Sequence, residues 1–233
     1  MSASLVGSEM CIRDSMYTEA FGRASYLVSR SRGKKSTVSK ALFIPLSVLE
    51  MEVEHLNKRD LHRIKETRIC FPLNDVCCDP VKNVLALFLS EVLFRVVKDT
   101  EPDPRLFDYL YESIHLLEYA DKGIANFHMV FLLGLLHHLG IFPNMESHRV
   151  GYYFDMLNGV FTDHIPMHRH YLNKVESAFF SRLLRISFEN MSLYGFSRQE
   201  RVRIIHRILE YYCLHLPDFP EIKSLSVMQS LFD

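Results

Sequence analysis

The sequence has no tryptophan, only nine glycines in 233 residues, and no long apolar run. Its longest apolar run, Met129 to Leu136, is far shorter than the roughly 20 residues that a membrane-spanning helix needs. No Gly-rich phosphate loop, GxSxG pattern or HExxH pattern occurs. The start lacks a basic region followed by a long apolar core, so we predict no secretory signal. These absences argue against a P-loop enzyme, an α/β-hydrolase, a zincin and an integral membrane protein.

Cysteine is present but has no paired spacing. The five cysteines are Cys11, Cys70, Cys77, Cys78 and Cys213. Cys77 and Cys78 are adjacent, so they form neither a CxxC redox pair nor half of a zinc knuckle. With 48% hydrophobic and 24% charged residues, the composition is that of an ordinary globular protein. We therefore predict a reduced, cytoplasmic protein.

Positive charge is concentrated near the N-terminus. The stretch 21–40, FGRASYLVSRSRGKKSTVSK, has no acidic residue. Its six cations are Arg23, Arg30, Arg32, Lys34, Lys35 and Lys40. Residues 16–68 contain 11 basic and 6 acidic residues, whereas the whole chain has a net charge of −1. This asymmetry predicts a surface that faces a polyanion such as DNA, with a merely solvated loop as the alternative.

Alternating apolar residues predict strands in the N-terminal third. We assign strands to 24–29, 41–54 and 61–69, with Glu50, Glu52 and Glu54 on the solvent face of the second. The apolar phase of that strand slips by one residue after Val48, which predicts a β-bulge. Curled strands joined by a basic loop suit a small barrel of the oligonucleotide-binding kind over 16–72.

Helical signals dominate after Phe71. Asp79-Pro80 and Asp103-Pro104 predict helix starts, and Ser197 with Glu200 predicts a capping box. The predicted helices span 80–98, 104–119, 124–139, 175–194, 198–214 and 221–232. We leave 141–174 irregular. The fold class is therefore α+β, with a helical domain over 76–233.

Residues 1–15, MSASLVGSEMCIRDS, differ from the rest. The segment has neither helical nor strand periodicity, and it resembles the translation of a sequencing-adapter fragment. We predict a non-native or disordered tail and exclude it from the fold.

A histidine cluster keeps an enzyme open as an alternative function. His164, His168 and His170 lie together in HIPMHRH, and Asp163 is the nearest acid. Such a set could hold a catalytic metal, although histidines in a loop without supporting cysteines are more often surface residues. A helical adaptor with an incidental basic loop is a further alternative.

Several stretches, taken in order, resemble the RecO family of bacterial recombinational-repair mediators. They are FGRASYLVSRSRGKKSTVSKALFIPLSVLEMEVE, LALFLSEVLFRVV, FDYLYESIHLLE and ANFHMVFLLGLLHHLGIFPN. The resemblance extends from about Met16 to Asp233. It implies an oligonucleotide-binding barrel followed by a helical domain.

The resemblance also implies a function and partners. Such proteins bind single- and double-stranded DNA, anneal strands in the RecF pathway, and help RecR to load RecA onto DNA coated with single-stranded DNA-binding protein (SSB). They do so without catalysis, and they engage the acidic SSB C-terminal tail. We predict Arg95, His128 or His137 as the cation that receives this tail. The family pattern is absent in two places: a first barrel strand before Met16, and a four-cysteine zinc site near 146–174. We therefore predict an open sheet edge and no cofactor.

Overall fold

Residues 12–28, 42–54, 61–98 and 101–231 are described by the structure, a computed structural model. The predicted α+β class is confirmed, since strands precede a set of helices. The chain divides into two compact units, 1–118 and 119–233. Among the described residues, none of the helices combines the length and apolar character needed to cross a bilayer.

A four-stranded sheet forms the first part of unit 1. Its strands are β1 (Ile12–Thr18), β2 (Gly22–Val28), β3 (Leu49–Glu54) and β4 (Leu61–Ile69). The spatial order is β1-β2-β4-β3, in which β2 and β4 are parallel and the other pairs antiparallel. Ala24, Tyr26 and Ile64 form its buried core. Because β3 ends this order, one of its edges has no partner strand among the described residues.

The strands differ from the prediction at their ends. Ile12–Ser15, which we assigned to an unstructured tail, form the first half of β1 and pair with β2. Met1 to Cys11 lie outside the described residues. Residues 42–48 precede β3 as a turn instead of extending it. Pro45 cannot donate to a ladder, Leu46 has a φ of 63°, and the Ser47 amide donates to the Ile44 carbonyl oxygen at 3.0 Å.

Strand β3 has two faces of opposite character. Glu50, Glu52 and Glu54 are exposed, as the alternation predicts, while the residues between them are partly buried. The predicted bulge exists, but its register shift lies between Glu52 and Val53 instead of after Val48. The strand therefore presents carboxylates along one face and apolar side chains along the other.

In the described part of unit 1, three helices follow the sheet: α1 (Asn74–Cys78), α2 (Pro80–Val96) and α3 (Pro104–Tyr119). Asp79 caps α2 as predicted, because its carboxylate accepts the Val81 amide at 2.7 Å and the Lys82 amide at 3.1 Å. The last residue of α3, Tyr119, already belongs to unit 2 by its contacts.

Polar contacts join the sheet to α2 and α3. The Arg23 guanidinium donates to the carbonyl oxygens of Phe94 at 3.0 Å and Val97 at 2.8 Å, where α2 ends. The Tyr17 hydroxyl accepts the Asp103 amide, which precedes α3, at 3.1 Å. The division between units therefore falls after Glu118, whereas the sequence pattern placed it between 72 and 76.

A buried polar group holds α1 in place. Glu118 is 3% exposed, and its two carboxylate oxygens accept the amides of Asp75 at 2.9 Å and Val76 at 3.0 Å. The 4% exposed Lys82 donates from Nζ to the Glu118 carbonyl oxygen at 2.6 Å. Leu73 offers α1 no side-chain cap, so the carboxylate of α3 supplies it.

Unit 2, as far as it is described (119–231), combines four helices with a small sheet. The helices are α4 (Ile124–His138), α5 (Lys174–Leu183), α6 (Arg198–His215) and α7 (Ser224–Leu231). The strands are β5 (Tyr153–Asp155), β6 (Val160–Thr162) and β7 (Tyr171–Leu172), in the order β6-β5-β7. The segment 141–174, which we left irregular, is thus partly a sheet. Phe154 anchors it against Phe161, Phe180 and Tyr211.

Helix α5 is shorter than predicted. It ends at Leu183 instead of 194 because Asn190 replaces the helical hydrogen bonds. The Asn190 side chain accepts the Ser187 amide at 2.8 Å and donates to the Arg185 carbonyl oxygen at 3.1 Å. Ile186 and Met191 are nevertheless buried, so the apolar pattern continues beyond the helix.

Candidate nucleic-acid interface

Strand β2 ends at Val28, and the described structure resumes at Leu42. The predicted DNA-binding residues Arg30, Arg32, Lys34, Lys35 and Lys40 all fall in 29–41, outside the described residues. Their role therefore remains a prediction. The described part of the structure shows the two ends of this segment in unit 1.

Arg23, the sixth residue predicted to bind DNA, lies in β2, and its role with DNA also stays a prediction. Its guanidinium carbon lies 4.4 Å from the Phe94 ring centroid, and its donors face the carbonyl oxygens at the end of α2. A cation at a helix C-terminus is stabilised by the helix dipole and by these hydrogen bonds. This geometry assigns Arg23 a structural role in joining β2 to α2.

The solvent face of β3 and β4 has balanced charge. Glu50, Glu52 and Glu54 on β3 are exposed, as are Arg63, Lys65 and Arg68 on β4. Lys65 Nζ lies 3.9 Å from a Glu52 carboxylate oxygen. The Glu66 carboxylate, and Glu50 more weakly, raise the pKa of the Arg68 guanidinium. The excess positive charge of the N-terminal third therefore belongs to 21–40.

The three predicted tail-binding cations have unequal electrostatics. Arg95 is half-buried, and its guanidinium lies 5.5 Å from the exposed Phe94 ring. His137 is stacked on Phe142 with 3.5 Å between ring centroids, and burial together with His138 lowers its pKa. His128 is 1% exposed in α4. Arg95 is thus the residue of the three that carries a permanent charge.

Burial and the neighbouring Arg201 guanidinium lower the pKa of His128 to about 3. His128 is therefore neutral at physiological pH and cannot serve as a cation. A small cavity beside it is lined by Arg198, Arg201 and Met228, among others. The two arginines are positive charges that the sequence analysis did not single out, because α6 shows only a mixed charge pattern.

We expect His128 to make unit 2 sensitive to acid. The unfolded chain takes up a proton near the ordinary pKa of 6.5, whereas the folded protein does so only near 3. Stability is therefore full above pH 6.5 and falls as the pH drops toward 3, by about 3 kcal/mol at pH 4. Urea unfolding should show a smaller loss in His128→Leu than in the parent, because carboxylates with lowered pKa values, such as Asp155 and Glu210, destabilise both proteins in acid. The exposed control His206→Leu should behave like the parent, and a parental pH slope in His128→Leu would contradict the assignment.

The cluster His164, His168 and His170 does not form a shared site. His164 Nδ1 lies 3.0 Å from Asp163, His168 Nε2 lies 3.2 Å from Asp155, and His170 Nδ1 lies 3.3 Å from Glu210. Within 12–28, 42–54, 61–98 and 101–231, no three His, Cys, Asp or Glu side chains converge where they could hold a metal ion. The three histidines therefore do not have the shared geometry that the predicted alternative, a metal site, would require.

Comparisons with a family model and with curated proteins point to the same family. The family model described as "Recombination protein O C terminal" matches residues 78–225. A DNA repair protein RecO of Bacteroides fragilis is 44% identical over 94% of this chain and 90% of its own length. The DNA repair protein RecO of Azobacteroides pseudotrichonymphae is 42% identical over 93% of this chain and 90% of its own length. The DNA repair protein RecO of Porphyromonas gingivalis is 37% identical over 94% of this chain and 91% of its own length.

A four-stranded sheet with the order β1-β2-β4-β3 that leads into helices is typical of an α+β protein of the oligonucleotide-binding type. The matches cover most of the chain, including the sheet and both sets of helices. The chain belongs to the RecO family of DNA repair proteins.

Proposed function

We propose that this protein binds single- and double-stranded DNA without sequence preference, anneals complementary strands, and with RecR helps to load RecA onto SSB-coated DNA. It acts in the bacterial cytoplasm at the nucleoid, and it does so without catalysis. The observation that carries the proposal is family membership combined with five cations and no acid in 29–41.

The charges of the described sheet support the proposal that DNA binds at residues 29–41. Because the β3–β4 face is balanced, it offers a polyanion no net attraction. Cations at 29–41 would instead neutralise phosphates and release counterions, which lets two strands approach each other. Annealing needs only that reduction of repulsion. The proposal is tested by fluorescence annealing of two complementary oligonucleotides with and without the protein; no acceleration at low salt would reject it.

The partner side of the proposal concerns helix α2. Leu87 and Phe94 are 43% and 48% exposed and lie seven residues apart, so they share one face of the helix. Arg95 supplies a permanent positive charge beside Phe94. An acidic tail that ends in an apolar residue, as in SSB, fits an exposed apolar stripe with an adjacent cation.

We expect Arg95→Glu to weaken binding of an SSB tail peptide by about tenfold, the value of one charge-assisted hydrogen bond of roughly 1.4 kcal/mol. Fluorescence anisotropy on the full chain measures this, since α2 belongs to the same unit as the sheet. Lys98→Glu, the same charge change three residues away, is the control. A peptide without its last apolar residue should bind neither protein, and equal affinity of Arg95→Glu and parent would move the site away from α2.

A further inference from the structure

The small sheet of unit 2 (β5, β6 and β7) has two faces of different character. Phe154 and Leu172 are paired in register and buried, and Phe154 packs against aromatic rings of α5 and α6. Because side chains alternate along a strand, their neighbours Tyr153 and Tyr171 lie on the opposite, outer face. The outer face therefore carries two aromatic rings, and both are only partly buried.

The outer face combines these rings with cationic and hydrogen-bonding groups. The Tyr153 and Tyr171 rings meet edge to face, with 6.0 Å between their centroids. Lys174 Nζ lies 5.3 Å from the Tyr153 centroid. Thr162 pairs with Tyr153 in the sheet, and its hydroxyl lies 2.8 Å from His164 Nδ1. A planar, polar ligand would thus find rings, a positive charge and hydrogen-bonding groups on one surface.

The charge around the outer face favours an anionic ligand. Residues 160–174 contain two permanent cations, Arg169 and Lys174, which are both exposed, and a single acid, Asp163. The neighbouring carboxylate of Asp155 is 7% exposed and accepts two backbone amides of the turn between β5 and β6. The accessible permanent charge of this face is therefore positive.

Rings and cations together favour a nucleic acid whose bases are unpaired. An aromatic side chain can stack on the flat face of any base, and that face is accessible only when the base has left the duplex stack. Two cations neutralise few phosphates, so phosphate contacts alone contribute little here. A duplex offers its phosphates but hides its base faces, and it gains nothing from the two tyrosines.

We propose that the outer face of the small sheet binds unpaired nucleotides of single-stranded DNA. Tyr153 and Tyr171 stack on bases, while Arg169 and Lys174 contact the flanking phosphates. The inference rests on the proposed DNA binding and adds to it a preference for single strands, which phosphate contacts at 29–41 do not supply. Bases that have paired during annealing no longer stack on the tyrosines, so this face releases the finished duplex.

An oligonucleotide made of abasic nucleotides tests the stacking, because it keeps the phosphates and lacks the bases. We expect the full chain to bind a normal single strand about twentyfold more tightly than an abasic one of the same length, since each stacked base contributes about fivefold or more. Fluorescence anisotropy measures both affinities. Tyr153→Leu combined with Tyr171→Leu should remove this preference and leave the affinity for a duplex unchanged.

Two controls separate stacking from a general loss of tyrosine. Tyr153→Phe combined with Tyr171→Phe keeps both rings and should keep the parental preference. Tyr119→Leu combined with Tyr194→Leu removes two tyrosines of the same unit that lie outside the small sheet, and it should also keep the preference. Circular dichroism confirms that each variant is folded.

Equal affinity of the parent for the normal and the abasic strand would overturn the inference, a comparison that needs no variant, and the proposed function would stand. An undiminished preference in the double leucine variant at 153 and 171 would also overturn it, because the stacking would then lie elsewhere. A parent that binds neither single strands nor duplex would refute the proposed function as well.

Discussion

Replacing Arg30, Arg32, Lys34 and Lys35 together with Glu should nearly abolish DNA binding while leaving the protein folded. In the sequence, these residues fall between Val28, where β2 ends, and Leu42. If the four contact phosphates, the slope of log affinity against log salt should be roughly −3 for single strands, about −0.7 for each phosphate. The slope should fall toward zero in the variant. Because phosphates carry no sequence information, the loss should be the same for oligonucleotides of different sequence.

The control must separate a local effect from net charge. Lys122, Arg169, Arg185 and Lys223 are exposed in unit 2, and their replacement with Glu changes the net charge by the same amount. We expect this control to keep most of the parental salt slope. A variant at 30–35 that retains the parental slope would show that the segment is only solvated, and DNA would have to bind elsewhere.

Removing the Glu118 carboxylate should cause the largest loss of stability in unit 1. In Glu118→Ala the amides of Asp75 and Val76 lose their acceptors in a buried setting. Each unsatisfied buried donor costs about 1–3 kcal/mol, so we expect a loss of about 4 kcal/mol in the free energy of unfolding. Chemical denaturation followed by circular dichroism measures it.

Glu112→Ala provides the matched control on the same helix. Glu112 is exposed, so its replacement should change the stability by less than about 0.5 kcal/mol. A similar, small loss in both variants would mean that water replaces the Glu118 carboxylate at α1.

The parts of the fold that the sequence predicts correctly are those with local signals, such as helix starts. Asp79-Pro80 and the Ser197–Glu200 capping box mark helix starts through contacts within three residues, and both are confirmed. The strands β5 to β7 were missed because two or three residues are too few to show a period. Asn173 with Glu176 forms a second capping box, so α5 begins at Lys174, one residue before our predicted start.

The environments of these charged residues are harder to predict, because their contact partners lie far away in the sequence. Arg23 appears in a basic run, yet its partners are carbonyl oxygens 71 and 74 residues away. Glu118 and Lys82 are charged residues of helices, and such residues ordinarily face water. Both are nevertheless buried. A run of cations predicts an excess of charge, but tertiary packing decides which of them remain available to DNA.

The contact between Tyr17 and Asp103 also has a consequence for the protein during its synthesis. The two residues are 86 positions apart in the chain. At about 5–20 residues per second, a ribosome needs roughly 4–17 s to add that length. During this time β1 and β2 have emerged without the helices against which they pack. Translation speed between the first hairpin and α3 therefore sets how long the nascent sheet remains open to chaperones or to aggregation.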